Sequence, residues 1–151
     1  MPMKSGDSKH RVALALRRYV QGKAPSRGYV DIFGCDADFL REFIEHQFTG
    51  GMNWKNFGRK WKIGHLLAPS YFRDRRRADV RLCWNWINMR PVAEGKSRLA
   101  MSPGAALAAL KRRRRFFREN SVIGDLVAAA TAAVEREVSD DADWSKFYVE
   151  R

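Results

Sequence analysis

Apolar and polar positions along the chain follow two different periods, and the changes of period divide it into elements. Over 8–20 (SKHRVALALRRYV) Val12, Leu14, Leu16 and Val20 are available for packing while Arg11, Arg17 and Arg18 stay outside, which predicts a helix. The Gly, Pro and Ser of 21–28 predict a linker. In CDADFLREFIEHQFTGG, Phe39, Leu40, Phe43, Ile44 and Phe48 recur at helical spacing, Asp36 is a suitable N-cap, and Gly50 and Gly51 supply the stop. Residues 52–60 mix aromatics with bases and read as loop; 61–67 (WKIGHLL) has strand character, ended by Pro69. The basic run 72–84 reads as a short helix, and 85–92 as extended up to Pro91. Ser102 followed by Pro103 is a helix start, predicting a helix to about Asn120. A last helix over 122–138 has an apolar face of Val122, Ile123, Leu126, Val127, Ala130 and Val134. No internal repeat is visible. The pattern predicts a mainly helical α+β protein, divided into a basic N-terminal helical arm (1–30), a central unit (31–100), a C-terminal helical extension (101–138) and an acidic tail (139–151) that is either docked on a basic surface or loose.

Composition narrows the function classes. The 151 residues are 45% hydrophobic, enough for a core. No run approaches 18 apolar residues, and the N-terminus lacks a signal-peptide pattern, so a cytoplasmic, non-exported protein without a membrane-spanning helix is expected. Two cysteines, Cys35 and Cys83, do not make a disulfide framework, no CxxC pair is present, and three histidines (His10, His46, His65) do not suggest a metal cage. Charge is uneven. The net charge is +12, with an excess of six over residues 1–30 and of ten over 71–120, balance over 31–70, and four more acids than bases over 121–151. A positive field of this size favours a polyanionic partner, whose phosphates release counterions as Lys and Arg neutralise them. Arg73, Arg75, Arg76, Arg77 and Arg81 form one candidate phosphate-binding cluster, and Lys111, Arg112, Arg113, Arg114 and Arg115 a second. Five consecutive bases on a helix do not share one face, so about half of the second cluster can reach a single duplex. Such contacts position a protein on nucleic acid without reading sequence. Trp54, Trp61, Trp84 and Trp86 are candidates for base stacking, with core packing the favoured reading.

Residues 34–96 carry a longer pattern. GCDADFLREFIEHQFTGGMNWKNFGRKWKIGHLLAPSYF, then LCWNWINMRPVAEGK, resembles phage-type HNH endonucleases, whose lines run QFTEGM-x-W-x-NYG, WHIDHIIP-x-SSF and CFHYTNLQPLWAEDN. The landmarks shared in order include Gly34, Cys35, Phe48, Thr49, Gly51, Met52, Trp54, Gly58, Trp61, His65, Cys83, Asn88 and Pro91. The resemblance implies a ββα-metal finger, a hairpin followed by a helix that clamps a divalent ion against a scissile phosphate. In that chemistry a histidine takes a proton from water, an aspartate before it and an asparagine on the helix hold the metal, and a middle asparagine fixes the loop. Carried over, His65 falls at the general-base position and Asn88 at the orienting one. The metal-binding aspartate position is Gly64, the first histidine of the pattern is Lys62, and the helix asparagine falls, with one residue deleted, on Lys96. No metal ligand is therefore assigned. Oxygen donors suited to magnesium are replaced by bare backbone and a cation, and Lys62 and Lys96 suit a phosphate oxygen better than a metal. Loss of the metal removes several kcal/mol of transition-state stabilisation, at about 1.4 kcal/mol per tenfold in rate.

The resemblance thus implies an HNH-like hairpin core, to which the residue pattern adds N-terminal helices and two C-terminal helices. The expected function is nucleic-acid binding, DNA favoured over RNA, by a catalytically degenerate nuclease relative of phage or mobile-element origin, with no cofactor. Two alternatives stay open. One is an active magnesium- or manganese-dependent nicking endonuclease with Glu94 or Asp74 as substitute ligand. The other is a scaffold repurposed to bind a host or virion protein, with the C-terminal helices as the contact. The plain alternative for His65 is a vestigial ring packed in the hairpin, and for Asn88 a loop-capping side chain.

Overall fold

The computed structural model describes residues 5–23, 28–73, 76–96 and 100–148, with side chains described between 10 and 139. The chain is α+β and mainly helical, with six α-helices and one two-stranded antiparallel sheet among the described residues. α1 (Ser5–Val20) packs on α3 (Ala37–Glu45), with the short α2 (Tyr29–Phe33) between them in sequence. β1 (Trp61–His65) pairs with β2 (Met89–Ala93), and α4 (Arg77–Cys83) lies in the connection between the strands. α5 (Pro103–Phe116) and α6 (Ile123–Tyr148) then form a packed pair.

Local chemistry explains most boundaries. Asp36 caps α3 by accepting a hydrogen bond from the Phe39 N–H at 2.8 Å, and its buried positions, Leu40 and Ile44, stand one turn apart. Ser102 caps α5 through the Ala105 N–H at 3.2 Å, with Pro103 in the first turn and Ala106 and Leu110 buried. The segment expected to be extended from residue 85 instead opens with a 3-10 turn at Trp86–Asn88, because the Asn85 side chain accepts from the Ile87 N–H at 3.1 Å and folds the backbone before β2 begins. α5 stops at Phe116 rather than near Asn120. α6 runs past 138 to Tyr148, since no Gly or Pro interrupts 125–148, so the stretch expected to be docked or loose is helical there.

One cluster of buried side chains runs from α1 to α6 and includes Leu16, Tyr19, Phe33, Leu40, Trp61, Met89, Leu110 and Leu126. α1 buries Ala15, Leu16, Tyr19 and Val20, whereas Leu14, expected inside, is 50% exposed. Tyr19 enters the core because its hydroxyl donates to the Cys35 carbonyl at 2.9 Å, which satisfies its polar end. Among the described residues no helix is long and apolar enough to cross a membrane.

Candidate functional site

The antiparallel register sets Gly64 opposite Arg90, His65 opposite Met89 and Lys62 opposite Val92. Side chains alternate across a strand, so Lys62, Gly64, Arg90 and Val92 share one face of the hairpin, and Trp61, His65 and Met89 share the other. The second face is the core side, where Trp61 and Met89 are fully buried. His65 packs edge-on against Trp84 with ring centroids 4.6 Å apart, and its Nε2 is sealed from solvent without a hydrogen-bond partner. Burial, and secondarily the Arg90 guanidinium, hold its pKa down at about 4, well below the ordinary imidazole range. The ring is therefore neutral at pH 7. Arg90 donates through Nε to the His65 carbonyl at 3.0 Å and so ties the two strands at this point.

Asn88 is fully buried at the mouth of β2. Its Oδ1 accepts from the Leu67 N–H at 3.0 Å, and its Nδ2 donates to the Leu67 carbonyl at 3.1 Å and the Cys83 carbonyl at 3.0 Å. One amide thereby pins the chain leaving β1 and the end of α4 to the start of β2. Three of its four hydrogen-bonding positions are used, and all three go to backbone.

The donor set does not fit a hard divalent cation. Gly64 offers no side-chain oxygen, and a Cβ placed there would stand 2.6 Å from Val92 Cγ2, so the valine covers the position. Lys62 is exposed on that same face. Lys96, expected on the helix after the hairpin, instead lies in the turn that closes β2, its N–H donating to the Ala93 carbonyl at 3.1 Å, six residues before the Ser102 cap. Glu94 is exposed in the same turn; Asp74 lies outside the described residues. No group of three or more His, Cys, Asp or Glu gathers among the described residues.

The basic clusters divide. Arg73, Arg76, Arg77, Lys111, Arg112, Arg114 and Arg115 are exposed, and Arg75 lies outside the described residues. Arg81 is held by Asp31, which also stands 4.0 Å from Arg77. Arg113, expected in the phosphate-facing set, turns inward. It donates through one nitrogen to the Ile87 and Met89 carbonyls, both at 2.7 Å, and through the other to Gln47 Oε1 at 2.6 Å, with its guanidinium over the Phe43 ring. Burial lowers its pKa to about 10, so it remains charged, but its donors are committed to the fold. Three of the tryptophans considered for base stacking, Trp61, Trp84 and Trp86, are buried, and Trp54 is half-buried over Trp61 at 5.2 Å.

Sequence reasoning missed Val92 and Asn85, and placed Arg113 on the wrong side of its helix. A valine diagonal to a glycine leaves no periodic trace, and an inward arginine inside a run of five bases is indistinguishable from its neighbours until a carbonyl partner is placed.

No family model matches the chain, and no solved structure matches it. Two proteins of Acanthamoeba polyphaga mimivirus align with it. Uncharacterized protein L426 is 34% identical over 67 residues, 44% of this chain and 30% of its own length. Uncharacterized protein L246 is 25% identical over 92 residues, 59% of this chain and 41% of its own length. The chain thus spans less than half the length of these relatives, to which it is similar over a stretch only.

Proposed function

We propose that the chain binds nucleic acid on the remains of an HNH-type ββα hairpin whose cutting centre is closed, and that it is of viral or mobile-element origin. The observation that carries this reading is the closure itself: the histidine at the general-base position has its Nε2 sealed without a partner, and Val92 covers the position where an aspartate would hold the ion. A water attacking phosphorus needs a base within hydrogen-bond reach and, in this chemistry, a metal at the leaving oxygen; here His65 Nε2 is withdrawn and Gly64 offers no oxygen ligand. Asn88 keeps the loop-fixing geometry, a role that does not depend on cutting. The exposed bases Lys62, Lys96, Arg73, Arg76, Arg77, Lys111, Arg112, Arg114 and Arg115 supply phosphate contacts. DNA is the favoured polymer.

The test is an anisotropy titration of labelled duplex DNA between about 50 and 200 mM salt, beside plasmid nicking with magnesium or manganese. Affinity is expected to fall with a log–log slope of several units, at about 0.9 per phosphate neutralised, and the plasmid to stay supercoiled. A slope near zero together with stable co-purification of a protein favours the repurposed scaffold instead. Nicking that disappears in His65→Ala overturns the closed-centre reading and restores the active nuclease.

A further inference from the structure

Two phenylalanine rings are open to solvent among the described residues, Phe116 at 77% and Phe39 at 41%, and both line the same cleft of about 590 Å³. They come from different elements, the end of α5 and the first turn of α3, so the coincidence is a product of the fold. Exposing a phenyl ring to water is unfavourable, and a monomeric surface that keeps two rings together marks a place where something apolar and flat is received. The back of the cleft is formed by packed aromatic rings. Trp86 is held edge-on by Phe39 at 4.8 Å and by Phe117 at 5.1 Å. The rim is cationic, formed by Arg115 and Arg118, with Glu119 the one carboxylate on it. The polar part of the wall is Asn85. Its Oδ1 is taken by the Ile87 N–H and Asn120 Nδ2, which turns its own amide nitrogen toward Gly34. Gly34 has φ of +76°, and a Cβ there would collide with that nitrogen, so bare backbone gives the amide its place.

We infer that this cleft receives an unpaired base of a single-stranded nucleic acid, stacked on Phe116 and with its flanking phosphates on Arg115 and Arg118. The inference rests on the nucleic-acid reading above and specifies the form of the ligand. An intact duplex hides the faces of its bases and offers only phosphate to such a rim, whereas a single strand offers a face for the ring, an edge for Asn85 or Glu119, and phosphates for the arginines. An apolar peptide would use the rings but leave two arginines without a partner, so charge complementarity favours the nucleic acid.

The experiment uses the full chain with a labelled single-stranded oligonucleotide, the duplex of the same sequence, and the same strand carrying 2-aminopurine. The single strand is expected to bind more tightly than the duplex and the 2-aminopurine emission to be quenched on binding. Phe116→Ala should weaken the single strand by about tenfold or more, abolish the quench and leave duplex affinity unchanged, while Phe116→Trp retains all three properties. Because Phe116 is mostly exposed, the alanine variant should melt within about 2 °C of the parent, which separates lost stacking from lost folding. Duplex binding with a steep salt slope, unaffected together with single-strand binding by Phe116→Ala, overturns the cleft and leaves the nucleic-acid reading intact. Binding of neither polymer overturns both.

Discussion

His65 shows how an environment can hold an imidazole neutral far below its ordinary titration range. Its imidazole is held neutral because the charged form would be taken out of water beside Arg90. The consequence for stability has a definite sign. Below pH 6.5 the unfolded chain binds a proton that the folded chain refuses until about pH 4, so stability is fully held above 6.5 and declines as the pH falls toward 4. The loss should be on the order of 2–3 kcal/mol over that window. Urea unfolding at pH 7 and pH 4.5 checks this: His65→Phe, which keeps the edge contact with Trp84 and removes the unpartnered nitrogen, should narrow the difference between the two pH values by about that amount. A His65 ring whose NMR shift titrates near 6.5 would show that it is not sealed. Asn88 is the converse case, a buried polar side chain whose hydrogen bonds are met by backbone. Its position was legible because an asparagine stood at a spaced landmark; its three backbone partners were not, since they lie up to 21 residues away.

At the scale of elements, the hairpin is fastened from both sides. α5 is locked to the start of the sheet by Arg113, whose bonds satisfy the Ile87 and Met89 carbonyls. Arg113→Ala leaves those carbonyls and Gln47 without a donor and should cost about 2–4 kcal/mol in chemical denaturation, while Arg112→Ala and Arg114→Ala, both exposed, should stay within about 0.5 kcal/mol. Equal effects at the three positions would return Arg113 to the surface cluster. On the outer face, Gly64 and Val92 form a matched pair. Gly64→Asp should destabilise by about 1–3 kcal/mol through the collision with Val92 Cγ2, and Val92→Ala in the same chain should recover part of that loss. An additive double mutant would mean that the two side chains do not meet. The strand itself and the capped starts of α3 and α5 were readable in advance, because alternation and N-cap chemistry are local. α2 was missed: five residues between a glycine and a glycine carry too short a period to register.

Across the whole molecule the basic surplus stays mostly on the outside. Among the described residues the ion pairs gather at Asp31, on Arg81 and Arg77, and these are largely exposed and of little energetic consequence. The remaining cations therefore repel one another unless a polyanion or salt screens them. If Arg73, Arg76 and Arg77 all face phosphates, replacing the three with glutamine should lower the salt slope of duplex binding by roughly 2–3 units with an unchanged melting temperature. A slope equal to that of the parent would assign the grip to α5 together with Lys62 and Lys96.

Read from the sequence alone, the chain was determined as a mainly helical α+β protein with extended segments at 61–67 and 85–92, helix starts at Asp36 and Ser102, and positive charge concentrated in its third quarter. These follow from period, caps and charge, which act between neighbours a few residues apart. Which face of each element is buried, and what each polar group meets there, was decided only in three dimensions. Tyr19 rather than Leu14 went inside because a carbonyl at residue 35 was waiting for its hydroxyl. Arg113 left its four basic neighbours because two carbonyls at the hairpin needed a donor. Phe39 and Phe116, 77 positions apart, became two walls of one cleft because α3 and the end of α5 pack around Trp86. A buried polar group must find its partner wherever the chain brings one, and that distance is set by the packing, not by the order of residues.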